Sequence, residues 1–344
     1  MAAKGEAQPP IASAIVPVKD EEQNVGECLR QLLEQTYPRD RLEILIVDGM
    51  SRDGTRELVR TIMASEDGPS RVRLLDNPKV QRAAGLNVGI RQAKGDILLR
   101  LDARTRISRD YVSKCVETLL RTGAANVGGV LKPVAATPTQ EAIGLAMSHP
   151  FGAGNAQFRL GGKSGFVDTV YPGCFRKEIF DRIGLFDEDA AVINEDSDLN
   201  QRIRESGDRV YLSRDIEVYY YPRETLTGFW KLYFRYGGGR AGNFLKHRTF
   251  SAWRQLGPPG FLLCVIGCVI LSPLNPIFPF ASLALLGVFL LTNLLVSVFQ
   301  ALRVGKIYLA GRLFAAYLCI HFGYALGFFT RLFQRPKPGQ YWRG

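Results

Sequence analysis

The chain has 344 residues, with 44 Lys+Arg against 33 Asp+Glu for a net charge of +11. That length holds one domain of roughly 200–250 residues plus an appendage. The positive balance points to an anionic partner, either a phosphorylated substrate or the inner leaflet of a membrane, and no nucleic-acid recognition motif accompanies it.

Residues 1–10 are polar and proline-bearing without an apolar stretch, so they read as a disordered N-terminus and not as a signal peptide. Ala12 to Val18 predicts a first strand, followed by Lys19-Asp20-Glu21-Glu22 and a helix that Asn24 would cap. Leu42 to Val47 predicts a second buried strand ending at Asp48, and the loop from Gly49 to Thr55 leads into a helix over 56–64. Val72 to Leu75 is the third strand, and a helix through Ala83, Leu86, Asn87 and Ile90 follows. Ile97 to Leu101 is aliphatic at four of five positions and reads as a short strand buried on both faces, stopping at Asp102. In an open parallel sheet, ligands sit outside the carboxyl ends of the strands. Asp102 therefore either caps the next turn or presents a carboxylate to a metal, a phosphate or a sugar. This alternation of strand and helix predicts an α/β fold, with a mostly parallel, doubly wound, Rossmann-like sheet.

A helix over 111–120, a strand over 125–131 and a long glycine-rich connection over 151–165 come next. A connection of that length is usually functional or mobile. Asn194-Glu195-Asp196 precedes a helix over 198–205, with Gly207 as its stop. From Leu226 to Arg248 aromatic residues alternate with bases, including Trp230, Arg235 and Arg240, as in a segment lying in a membrane interface. No charge occurs from Gln255 to Leu302, and a further apolar run spans 313–330. These stretches predict transmembrane helices, two or three in number. Bases before the last run favour three, whereas the tail bases Arg331, Arg335, Lys337 and Arg343 favour two. Gly323 and Gly327 form a small-xxx-small pair of the kind that packs helices. Gly237 to Gly242 fits G-x-G-x-x-G but follows no strand, which argues against a dinucleotide role.

The chemistry lies in three acidic clusters behind apolar segments: Asp48, Asp102 and Glu195-Asp196. The first two converge on one crevice of a doubly wound sheet, where carboxylates suit a nucleotide or a divalent ion on a diphosphate. A third carboxylate facing them could deprotonate an acceptor hydroxyl.

At these residues the sequence resembles the family 2 glycosyltransferases, which have the GT-A fold. The matches are Val16-Pro-Val-Lys-Asp-Glu21, Val47-Asp-Gly-Met-Ser-Arg-Asp-Gly-Thr55, Gly85-Leu-Asn-Val-Gly89 and Gly95-Asp96 through Leu101-Asp102. The segments 168–176, 184–188 and 194–202 look like the succinoglycan-biosynthesis, ExoA-type branch. The resemblance implies a nucleotide-sugar site made by Pro17, Lys19, Glu21, Asp48, Asp53, Arg82, Asp102 and Arg104. It makes Asp196 the catalytic base beside Glu195, and assigns Trp230, Arg235 and Arg240 to acceptor diphosphate or membrane. Asp102 matches the first carboxylate of D-x-D, while Arg104 stands at the second. Either Asp102 holds Mg²⁺ or Mn²⁺ with water and phosphate oxygens, or Arg104 neutralises the leaving diphosphate.

The domains implied are a disordered N-terminus (1–10), a GT-A catalytic domain (11–223), an amphipathic interfacial segment (224–256), transmembrane helices (257–331) and a basic tail (332–344). The implied activity is inverting transfer of one hexose from a UDP-sugar to a lipid-linked, polyprenyl-diphosphate saccharide in polysaccharide biosynthesis. The enzyme would sit in the inner or plasma membrane with a cytoplasmic catalytic domain, alongside other polysaccharide-assembly enzymes and without nucleic-acid partners. A polyprenyl-phosphate hexose synthase and a non-catalytic membrane scaffold are the competing readings.

Overall fold

The computed structural model describes residues 8–65, 71–188, 194–250 and 253–333. Of the expected disordered N-terminus, residues 1–7 lie outside the described residues, as do 334–344 of the expected basic tail. In chain order the elements are β1 (Ala12–Val18), α1 (Val25–Leu33), β2 (Leu42–Asp48), α2 (Thr55–Met63), β3 (Val72–Asp76), α3 (Arg82–Gln92), β4 (Ile97–Arg100), β5 (Thr105–Ile107), α4 (Tyr111–Thr122) and β6 (Asn126–Pro133). Then come α5 (Pro138–Met147), α6 (Pro150–Ala153), α7 (Gln157–Leu160), β7 (Gly165–Val167), β8 (Cys174–Arg176), α8 (Glu178–Ile183), α9 (Glu195–Glu205) and β9 (Val210–Tyr220). The chain continues as α10 (Leu226–His247), α11 (Gly257–Leu271), α12 (Ile277–Arg303), α13 (Ala310–Leu318) and α14 (Tyr324–Phe333). They form two compact units, one of 1–132, 161–188 and 195–220, the other of 133–160, 189–194 and 221–344.

The first unit is built on a mixed sheet in the order β3-β2-β1-β4-β8-β6-β9-β5, with β7 also on β9. The β3-β2-β1-β4 half is parallel, each strand returning through a helix, as the sequence predicts. Beyond β4 the pairings of β8 with β4 and β6, and of β9 with β5 and β7, are antiparallel. Strand β2 is buried at every position, including Glu43. Burial alone would push that carboxyl up. The Lys94 N–H, the Ser13 hydroxyl (2.7 Å) and Arg73 (3.0 Å) outweigh it and hold Glu43 below the usual carboxylate range. Helix α3 lies close on β1 because Gly89 has no side chain: a Cβ there would come 2.3 Å from Ile15 Cγ2. Asn24 makes no capping bond; its amide donates to Glu21 instead (2.9 Å).

The second unit gathers α5–α7 with α10–α14. The stretch expected as a loop over 151–165 contains α6, α7 and the start of β7. Its Phe151 ring packs 5.0 Å from Tyr317 and 4.7 Å from His321, so an apolar residue in the glycine-rich run is drawn into the helices and folds there. Among the described residues three segments are long and apolar enough to cross a membrane: Trp253–Leu271, Ile277–Arg303 and Ile307–Phe333. Leu274, Phe280 and Leu283 are 77%, 71% and 67% exposed, an apolar surface that suits lipid rather than water. Between these helices Tyr317 donates to Gln300 (2.7 Å) and Asn293 to the Phe314 carbonyl (3.2 Å), polar contacts of the kind that join helices in lipid. Gly327 meets α10 backbone to backbone, where a Cβ would lie 1.9 Å from the Phe234 carbonyl oxygen. Gly237 meets α14 in the same way, against the Tyr324 carbonyl. The small-residue pair thus packs helices, and the G-x-G-x-x-G match is part of a helix interface, not a phosphate loop.

Candidate active site

Strands β2, β1 and β4 are neighbours, and their carboxyl ends deliver Asp48, the Lys19–Glu21 turn and Asp102. Two strand spacings put the ends of β2 and β4 about 10 Å apart. Beside β2 and β3 a pocket of about 390 Å³ is lined by Lys19, Met50, Ser51, Arg52, Arg56, Asp76 and Val80. Asp48 does not line it. That carboxylate is fully buried and accepts Arg56 Nη1 at 2.7 Å and the Ser51 N–H at 3.1 Å. Arg56 also reaches Asp76 (2.8 Å), so the guanidinium stands between Asp48 and the pocket. Met50 and Val80, on the pocket wall, and Asp20 beside it have φ of +61°, +67° and +51°. A left-handed backbone at a β-branched residue is costly, and such strain collects at binding sites.

The remaining expected residues divide in two groups. Asp53 is committed locally, accepting from the Glu22 N–H (3.2 Å) and from Thr55 N (3.0 Å) and Oγ1 (2.5 Å) at the start of α2. Lys19 donates to the Met50 carbonyl at 3.2 Å. Arg104 donates to Glu21 at 2.8 and 3.1 Å, and is 60% exposed. Pro17 lies in β1 opposite Val47, with its ring toward Gly85. Trp230, Arg235 and Arg240 all fall on α10, in the second unit.

Asp102 and Glu195 do come together. Arg82 Nη1 lies 3.3 Å from Asp102 Oδ2 and 3.5 Å from Glu195 Oε1. Arg100, only 4% exposed, donates from Nη2 to Glu195 Oε1 at 2.9 Å, and its Nε is 3.5 Å from Asp102 Oδ1. The Tyr171 hydroxyl donates to Asp102 Oδ2 at 2.6 Å. Burial would raise the Asp102 pKa, but Arg100, Arg82 and the Tyr171 hydroxyl outweigh it and hold the carboxyl below the usual range. Both guanidiniums are raised in turn: burial opposes their charge, while Glu195 and Asp102 overcome it. Asp196, in the first turn of α9, accepts the Ser197 N–H at 2.8 Å. Acids in a first helical turn are favoured by the helix dipole, and Glu195, Asp196 and Asp198 all lie there. Upstream, Asn87 clamps Phe186 through both its N–H (2.9 Å) and carbonyl (2.8 Å) and donates to Glu188 (2.8 Å), fixing the segment after α8.

Sequence reasoning missed Arg100, Tyr171 and Arg56. Arg100 was visible as the only charge in an otherwise aliphatic buried strand. For Tyr171 and Arg56 no local pattern was available, because each finds its partner only in the folded chain.

Comparison with known proteins fits this geometry. The glycosyl transferase family 2 profile matches residues 13–184. The succinoglycan biosynthesis protein ExoA of Rhizobium meliloti is 32% identical over 76% of this chain and 80% of its own length. The chain belongs to glycosyl transferase family 2. A second family relative, from Methanococcus voltae, is 27% identical over 79% of this chain and 85% of its own length. It is named as a dolichyl N-acetyl-α-D-glucosaminyl phosphate 3-β-D-2,3-diacetamido-2,3-dideoxy-β-D-glucuronosyltransferase. Among solved structures, a Pyrobaculum calidifontis mannosyltransferase in complex with GDP-mannose and Mn²⁺ superposes with a TM-score of 0.62 at 22% identity. That alignment covers 90% of this chain and 86% of the other, and establishes the GT-A fold here.

For a divalent ion, the donor set offers Asp102. Among the described residues no group of three or more His, Cys, Asp or Glu is placed to hold a metal. Asp102 Oδ1 is only loosely held, at 3.5 Å from Arg100. One carboxylate with free lone pairs fits Mg²⁺ or Mn²⁺ bound largely by water and substrate phosphate. It does not fit an ion caged by protein alone.

Proposed function

We propose that this family 2 glycosyltransferase transfers a single hexose, with inversion, from a UDP-sugar to a polyprenyl-linked saccharide at the cytosolic face of the membrane. The observation that carries the reading is the linkage of Asp102 to Glu195 through Arg82 and Arg100, which brings the donor-side carboxylate to the helix bearing Asp196. In this reading Asp196 takes the proton of the acceptor hydroxyl. The acceptor oxygen attacks the anomeric carbon as the bond to the nucleoside diphosphate breaks on the opposite face. General-base help of this kind contributes about 10²–10⁴-fold. Arg82 lies where it can oppose charge building on the leaving diphosphate. The base and ribose belong to the pocket by Lys19, Met50 and Arg56, where Asp48 acts by holding Arg56 in place. Pro17, Glu21 and Asp53 shape the surrounding turns, and Glu21 fixes Arg104. An ion on Asp102, Mg²⁺ or Mn²⁺, would supply further positive charge to the diphosphate. Trp230, Arg235 and Arg240 on α10 fit an acceptor phosphate or the headgroup layer.

The acceptor class is supported by the apolar helices and by the M. voltae relative's named acceptor, and polysaccharide assembly by the likeness to ExoA. The test uses the full chain in nanodiscs, with a panel of UDP- and GDP-sugars and polyprenyl-linked acceptors. Asp196→Asn should abolish transfer while nucleotide still binds. Near-normal turnover with a polyprenyl-linked saccharide would remove Asp196 as the base. A normal Asp196→Asn rate with a bare polyprenyl phosphate would assign a polyprenyl-phosphate hexose synthase instead. Inertness toward every donor would leave a scaffold.

A further inference from the structure

Buried arginines inside a core strand are rare, because a guanidinium must find partners for its donors or lose their hydration. Arg100 is the last residue of β4, and its backbone N–H is fixed by the Gly173 carbonyl at 2.9 Å. The side chain faces charged and polar groups from several elements. Glu195 and Asp196 come from α9, Asp102 from the turn after β4, Tyr171 from the β7–β8 connection and Arg82 from α3. Its carbon Cζ lies 5.2 Å from the centre of the Tyr171 ring, and the Tyr171 hydroxyl in turn holds Asp102. Of its three nitrogens, Nε addresses Asp102 and Nη2 binds Glu195, while Nη1 is buried without a hydrogen-bond partner among the described residues.

We propose that Arg100 is a positioning residue for sugar transfer, joining the donor-side carboxylate Asp102 to the base-bearing helix α9 through Glu195. This rests on the functional reading above, which uses Arg100 only as a link, and gives that residue a role of its own in the reaction. The planar fork sets the two carboxylates relative to one another, so β4 and α9 move as one body at the site. Its charge also bears on Asp196, one position from Glu195. Glu195 is thereby an anchor, tied to two guanidiniums, and Asp196 alone is left as the base.

The experiment compares Arg100→Met, Arg100→Lys and Glu195→Gln in the full chain in nanodiscs. It reads kcat, the UDP dissociation constant and the acidic limb of kcat/KM against pH. Arg100→Met should lower kcat about 100-fold, the scale of losing one preorganised electrostatic contact. Removing a neighbouring cation should also raise the acidic limb. Glu195→Gln, which removes an anion with little change of shape, should move the same limb the opposite way. Arg100→Lys should restore the limb but only part of kcat, since an ammonium cannot hold both carboxylates in a fork. Opposite displacements with UDP still bound are not expected of a purely structural pair. Turnover near wild type with an unmoved limb in folded Arg100→Met would overturn the proposal. If Arg100→Met does not fold, an unmoved limb in Glu195→Gln together with full kcat in Arg100→Lys would overturn it equally. A wild-type chain that transfers no sugar refutes the functional reading first, and this one with it.

Discussion

Replacing Asp102 with asparagine keeps the shape of the side chain and removes its charge. Two guanidiniums then share the single carboxylate of Glu195, leaving one excess positive charge near a largely covered site. Asp102 is a quarter exposed and takes its cations at 3.3 and 3.5 Å, so some of the lost attraction is screened. Unpairing a buried charge costs about 3–5 kcal/mol, and the partial exposure sets the expected loss near the lower end, about 3 kcal/mol. The Tyr171 hydroxyl keeps an acceptor in the amide oxygen, so its bond survives. Hydrogen exchange should read this locally. Peptides from β4 and α9 should exchange about 10²-fold faster, while those from β2 and β3 stay protected. The difference also depends on pH. The folded carboxyl titrates below its unfolded value of about 4, so its contribution is complete above pH 4 and disappears as pH falls through the folded pKa. Wild type and Asp102→Asn should therefore converge in acid. Unchanged protection in both peptides at neutral pH would refute the claim that this carboxylate neutralises Arg82 and Arg100.

Other outcomes are expected from single contacts. Excess EDTA should abolish transfer and added Mn²⁺ restore it; full retention would retire the ion on Asp102. Gly89→Ala should destabilise the first unit by about 1–3 kcal/mol through overpacking against Ile15, and should cost less in an Ile15→Ala background, which removes Cγ2, as read by thermal unfolding. Arg104→Ala removes an exposed partner of Glu21 and should change stability by less than about 1 kcal/mol. A large loss of transfer in that variant would return Arg104 to the diphosphate. Arg56→Met should weaken UDP binding about ten-fold or more, since it strands the buried Asp48 and opens the pocket wall; unaltered affinity would move the base elsewhere.

The sequence by itself determined the parallel half of the sheet, its carboxylate-bearing strand ends and the apolar C-terminal helices. Those features are local: aliphatic runs, turn residues and uncharged stretches carry them whatever the rest of the chain does. Only the tertiary structure decided which charges meet. Arg100 and Glu195 are 95 residues apart, Tyr171 and Asp102 are 69 apart, and no periodicity announces either pair. The same holds for the antiparallel strands beyond β4, for the glycine-rich segment folded among the apolar helices, and for Arg56 standing before Asp48. Each follows from long-range packing, where a buried charge or ring must take whatever partner the completed fold brings near.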